Sequence, residues 1–406
     1  MKDILLITNF WHFECEKSSS RYLYLANVLV NHGYDLEVIT STFYHRLKKE
    51  RSFDENFLTS FRYKITLVKE PPYLRNISLK RLHAHKTFAK NVISYLIQRK
   101  KPDLILCVIP STYVAEKVIK FANNNHIPVV LDIQDLWPEA FQMALHIPVV
   151  SNICFAPLKR LADKAYKNAD YITAVSQTYV ERGMRVNKKT SQGSVIYLGA
   201  DFDLVQSIIR KNPIEKDSNT FWITYIGALG YSYNIKMVID ALMILNNQGI
   251  KNIKFHVFGN GMLEEEFRSY AKQSGIDTVF WGHRQYEEMI PYLAASDIAV
   301  NPIVGKSAAS IINKVCDYAT AGVPVVNDQN SREYRELLDE YHAGINCDNN
   351  NAQQFADAIL TLYRDENLRK DMKIGALRLA KEKFDRNKTY LAFVDVFENA
   401  MGIVHS

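Results

Sequence analysis

Short, continuously apolar runs separated by longer stretches of helical periodicity recur twice along this 406-residue chain. No other feature constrains the fold as tightly. The first series of runs is Ile4–Thr8, Leu36–Thr40, Leu104–Ile109, Val129–Asp132 and Tyr171–Val175. The second is Trp222–Ile226, Lys254–Phe258, Val279–Trp281, Ile298–Asn301 and Val323–Val326. A strand that is apolar along its whole length is covered on both faces, which is the condition of a parallel sheet flanked by helices. The pattern therefore predicts two α/β domains, and the length agrees. Between them the polar, proline-containing segment Gly199–Thr220 reads as a linker. Beyond Asp348 the periodicity is helical to the end, including an aromatic helix over Thr389–Met401. In such sheets ligands sit at the carboxyl ends of strands and at helix N-termini, so a cleft between the domains is the expected site.

Charge is unevenly spread. The net charge is +6, but residues 1–200 hold 28 Lys and Arg against 17 Asp and Glu, leaving the remainder net acidic. A basic front half suits an anionic partner. The segment Arg75–Lys101, basic and amphipathic, suits an anionic lipid surface, or equally the solvated face of a core helix; Phe43–Phe53 adds to the same charge. No nucleic-acid-binding signature accompanies it, so nucleic acid is not expected as a partner. The five cysteines (Cys15, Cys107, Cys154, Cys316, Cys347) form no CxxC or Cys/His cluster, so neither a disulfide framework nor a metal site is expected. No secretory leader or apolar run of spanning length is apparent. Together these features suggest a cytoplasmic protein, peripheral on the inner face of the membrane.

Several segments carry candidate chemistry. In "YIGALGYSYNIKMVIDAL", Gly227 and Gly230 stand between a strand and a helix, where a backbone can approach a phosphate; an ordinary strand-to-helix turn reads the same way. Gly259, Asn260 and Gly261 repeat the arrangement after the next strand, ahead of Glu264, Glu265 and Glu266, which suit a helix N-terminus. In "SAASIINKVCDYATAGVPVV" the pattern predicts a helix from Ser310 to Ala321, ended by Gly322. Lys314 and Asp317 then share one face. They are either an exposed ion pair or a cation for a diphosphate beside a carboxylate for ribose hydroxyls. In "LDIQDLWPEAF", Asp135 is a candidate for proton transfer, with Trp137 and Glu139 beside it, although Asp135 could equally cap a helix. Lys17, Ser19 and Arg21, in the first strand-to-helix loop and the helix after it, are the remaining acceptor-side candidates.

Taken in order, "AVSQTYVERG", "VIYLGADFD", "YIGALG", "FHVFGNGMLEEEF", "VFWGHRQYEEMIPYLAASDIAVNPI" and "NKVCDYATAGVPVV" resemble the family 4 glycosyltransferases of GT-B type. "DLWPEAF" is similar to a stretch of the bacterial polysaccharide branch, which uses lipid-linked acceptors. The resemblance implies two Rossmann-like domains facing across a cleft: 1–205 on the acceptor side, 206–385 holding the nucleotide-sugar, and a return helix, 386–406, packing on the first domain. It implies a retaining hexosyl or N-acetylhexosaminyl transfer from a UDP-linked donor, without metal or other cofactor. It also places Asp317 at the ribose and Lys314 at the diphosphate, where it joins Asp135 as a catalytic candidate. Ser310 and Asn313 join the same donor site, with the base near Gly282–Arg284. The family's first glutamate is replaced by Ala309 and its arginine after the glycine turn by Ala228; Lys236 could stand for its downstream lysine. A non-catalytic homologue that binds nucleotide or a partner glycosyltransferase is the alternative that these departures leave open.

Overall fold

The computed structural model describes residues 1–16, 21–76, 78–139, 148–305 and 311–402. Lys17, Ser19, Ala309 and Ser310 lie outside them. The chain divides into unit 1 (Met1–Ile196 with Tyr390–Ser406) and unit 2 (Tyr197–Thr389).

Unit 1 contains β1 (Asp3–Ile7), β2 (Asp35–Ser41), β3 (Phe43–Tyr44), β4 (Lys49–Glu50), β5 (Lys64–Val68), β6 (Leu104–Ile109), β7 (Val129–Ile133), β8 (Tyr171–Ala174) and β9 (Gly193–Val195). Seven of these make one parallel sheet in the order β5-β2-β1-β6-β7-β8-β9, while β3 and β4 form an antiparallel ribbon. Five of the seven were read from apolar runs. The other two, β5 and β9, are the sheet edges and are only partly buried, so they lack the continuous apolar run. The core draws on β1, β2 and β6 together with the C-terminal helix Leu391–Ala400, whose Phe393 and Phe397 are fully buried within it. Residues beyond Thr389 therefore complete the first unit's core.

Unit 2 contains β10 (Phe221–Ile226), β11 (Ile253–Phe258), β12 (Thr278–Gly282), β13 (Ile298–Asn301), β14 (Val325–Asn327) and β15 (Gly344–Asn346), a parallel sheet in the order β12-β11-β10-β13-β14-β15. Alternate residues feed two cores: Ile223 and Tyr225 pack with helix Ile235–Asn247 on one face, and Ile226 and Phe258 with helix Asn313–Ala321 on the other. The expected linker is part of this unit. Its residues Phe202–Lys211 form a helix capped by Asp201, and Val205 and Ile208 are buried in the second core. The polar face that suggested a linker is the solvated side of an amphipathic helix.

Candidate functional site

In unit 2 the strand order reverses direction between β10 and β13, the place where a parallel sheet opens a crevice. The two strands pair only through Ile223–Ile298 and Thr224–Ala299. Beyond that point the Tyr318 hydroxyl bridges them, accepting from the Ile226 N–H at 3.0 Å and donating to the Val300 carbonyl at 3.2 Å. On the outer side of β10, three glycines carry the backbone pairing past the strand ends. Gly227 N–H donates to Phe258 O at 2.9 Å, and Gly259 N–H to Gly282 O at 2.8 Å. Their φ values of 147°, 130° and 68° lie where side chains are excluded. A Cβ on Gly259 would fall 1.8 Å from the Gly227 carbonyl oxygen. Asn260 takes part through its backbone, accepting from Leu229 N–H at 2.9 Å, and its side chain is exposed.

Lys314 lies on helix Asn313–Ala321, against this floor. It is 6% exposed, and its Nζ lies 4.0 Å and 3.9 Å from the ring centroids of Tyr225 and Tyr233. A Cβ on Gly227 would come within 2.8 Å of it. Nζ has no hydrogen-bond partner among the described residues, and burial holds its pKa well below the usual lysine range. The N-cap residue is Ile312, which offers no side-chain cap; within the first turn Val315 N–H donates to the Ile312 carbonyl at 3.2 Å. A buried lysine amine with no hydrogen-bond partner among the described residues, beside a helix start and a glycine turn, is an arrangement that could accept an anion.

Lys314 and Asp317 are not an ion pair. Asp317 is partly buried and its Oδ1 accepts from the Tyr286 hydroxyl at 2.8 Å; burial pushes its carboxyl up to about 6, against the opposing pull of that bond. A folded value above the ordinary 3.8 means that the native state keeps this proton in the window between them. The cost of charging Asp317 is therefore absent below 3.8 and fully present above about 6. Asp317→Asn keeps an acceptor for Tyr286 and removes that cost. Its stability should rise relative to wild type as pH climbs from 4 to 6.5, as measured by urea unfolding.

Four further donor-side candidates are partly or fully exposed. Lys236 pairs at the surface with Glu266 at 2.5 Å. Arg284 is exposed, 3.8 Å from Glu288 and over the Trp281 ring. Gly230 has no neighbour within 4 Å of a Cβ, and Asn313, at the helix start, is exposed. The tyrosines 225, 233, 286 and 318 carry no sequence signal of a site: Tyr225 and Tyr318 are fully buried, and Tyr233 and Tyr286 pack partly buried against the cores.

In unit 1, Arg21 is a structural residue and not an acceptor contact. It is 4% exposed and donates to Ile196 O at 2.6 Å and Asp132 Oδ1 at 3.2 Å. Its guanidinium also lies over the rings of Tyr390 and Phe393. Asp132 further accepts from Tyr22 at 2.6 Å and Thr173 at 2.7 Å. Arg21→Met leaves a buried carboxylate without its cation and should cost about 3–5 kcal/mol of unit 1 stability in denaturant unfolding. Glu139 likewise is held by Arg182 at 2.6 Å, whose other nitrogen holds Asp163 at 2.7 Å. Asp135 accepts from Trp137 Nε1 at 3.2 Å, and burial raises its pKa. Trp137 is itself buried, stacked on His85 and under the Arg81 guanidinium, 4.3 Å from the ring centroid. Around them the strand order reverses between β1 and β6. There Glu70 accepts from Asn9 Nδ2 at 3.3 Å and is pushed up to about 7 by burial, while His85 Nδ1 meets Ser111 Oγ at 3.1 Å. Neither Glu70 nor His85 stands in a recognisable motif, so no sequence signal marked them.

Residues 19–204 match the family described as Glycosyltransferase Family 4, and residues 220–365 that described as Glycosyl transferases group 1. Only 205–219 separate the two matches. The chain belongs to the family 4 glycosyltransferases. An uncharacterized glycosyltransferase of Methanocaldococcus jannaschii is 24% identical over 246 residues, 59% of this glycosyltransferase and 61% of that protein. The match thus spans about three fifths of that curated relative. Among solved structures, HepE of Anabaena in complex with UDP superposes with a TM-score of 0.70 at 18% identity, covering 98% of this chain and all of the other. Sucrose-phosphate synthase of Thermosynechococcus elongatus does so at 0.74 and 13% identity, covering both chains completely. These likenesses establish the fold, two parallel-sheet Rossmann-like domains of GT-B type.

Proposed function

We propose that this glycosyltransferase moves a hexosyl or N-acetylhexosaminyl group from a UDP-linked sugar to a lipid-linked or growing glycan acceptor, in the making of a cell-surface polysaccharide. The single observation that carries the donor half is Lys314: a buried amine with no hydrogen-bond partner among the described residues, in the first turn of a helix, suits a diphosphate. Asp317, one helical turn on, would take ribose hydroxyls, and the solved complex of HepE with UDP supports uridine as the base. The reading includes retention of anomeric configuration, with the donor phosphate assisting deprotonation of the acceptor, and no metal. It includes peripheral attachment to an anionic membrane; no described helix is long and apolar enough to cross one.

The test is UDP release from a panel of UDP-sugars, with and without chelator, followed by proton NMR of the glycoside formed. Release above the buffer rate, unaffected by chelator and giving the donor's own anomer, supports the proposal. Tight UDP binding with release no faster than buffer would favour the non-catalytic alternative, which the alanine at position 309 motivates.

A further inference from the structure

Unit 1 gathers basic side chains at the carboxyl edge of its sheet. Lys48, at the turn of the β3–β4 ribbon, donates to Asn76 Oδ1 at 2.5 Å and to His45 Nδ1 at 3.2 Å, and lies 4.9 Å from the Tyr73 ring centroid. Arg81, on helix Leu79–Gln98, donates to the backbone carbonyl of the same Asn76 at 2.7 Å and lies 5.8 Å from the same ring. Two cations thus hold one asparagine and share one aromatic neighbour. Lys48 has no carboxylate partner among the described residues. Burial and mutual repulsion lower the pKa of Lys48, and take that of His45 down to about 3. Such crowding is relieved by an anion. The same two chain segments expose Leu47, Leu74 and Leu79 at 58%, 80% and 83%. An apolar rim on a cationic recess fits a phosphate ester whose organic part is apolar.

We propose that Lys48 and Arg81, lined by Tyr73 and Trp137, bind a phosphate or diphosphate group of the acceptor, with Leu47, Leu74 and Leu79 beside its lipid. This rests on the acceptor half of the function proposed above. The test is calorimetric titration of the full chain, saturated with UDP, against geranyl diphosphate and inorganic diphosphate, on wild type, Lys48→Ala and Lys48→Glu. Both substitutions are at a partly exposed turn and should leave the fold intact. Expected is saturable binding of geranyl diphosphate, weakened at least tenfold by either substitution, with UDP affinity unchanged. Equal binding of inorganic diphosphate would retain the site and assign it to a free phosphate group. Binding of neither probe, or binding indifferent to Lys48, overturns the inference while leaving the donor site standing. Failure of UDP to bind, with geranyl diphosphate still lost in Lys48→Ala, would sink the donor reading and keep this site.

Discussion

Lys314→Met is expected to stabilise the protein and to weaken UDP binding in the same stroke. A buried group left without a partner costs about 1–3 kcal/mol, and methionine fills similar volume without that cost. Each kcal/mol recovered should raise the unfolding midpoint of a domain this size by about 2–4 °C. The lost charge-assisted contacts should weaken UDP about ten- to a hundred-fold. The stability gain should shrink at alkaline pH. A lysine whose pKa is lowered on folding destabilises the native state most when both states would be charged, and not at all above its ordinary value of 10.5. UDP binding to wild type at pH 8.5 should also take up protons, which titration in buffers of different ionisation enthalpy reads directly. A destabilised Lys314→Met protein, or one that binds UDP as wild type does, would show that Lys314 is a packing residue only.

Gly259→Ala should be the most damaging single-methyl change in unit 2. Its φ of 130° is a strained conformation for any side chain, costing about 1–3 kcal/mol, and the added carbon would fall on the Gly227 carbonyl oxygen. The neighbour is backbone and cannot swing away. The anion-site floor would separate, and the variant should lose both its unit 2 unfolding transition and UDP binding. Gly230→Ala is the matched control, since a Cβ there meets nothing within 4 Å; it should stay within about 1 kcal/mol of wild type. Equal stability of the two variants in denaturant unfolding would contradict the packing of the glycine loops.

The glycine-turn reading and the helix around Lys314 were legible in sequence because each rests on local rules. Gly322 ends its helix with a φ of 71°, as a left-handed cap requires, and the acidic triplet at 264–266 opens the helix Glu264–Ser274. Of the two readings open for Lys314 and Asp317, the ion pair is absent, because spacing on a helix says which residues are neighbours and not what each meets across the interface. Lys314 meets two tyrosines from around β10, and Asp317 meets Tyr286 from helix Tyr286–Ala295. Arg21, Glu139 and Lys236 each meet an opposite charge distant in sequence, Asp132, Arg182 and Glu266, which spacing along one segment does not show.

Sequence by itself determined the two doubly covered sheets, since an apolar run with no polar face can only be buried on both sides. It also determined where the backbone turns sharply, since only glycine tolerates those angles. Tertiary structure alone decided which charges are paired and which are not. The energy of a buried charge depends on what lies within a few ångströms of it, and those neighbours come from strands and helices tens of residues away.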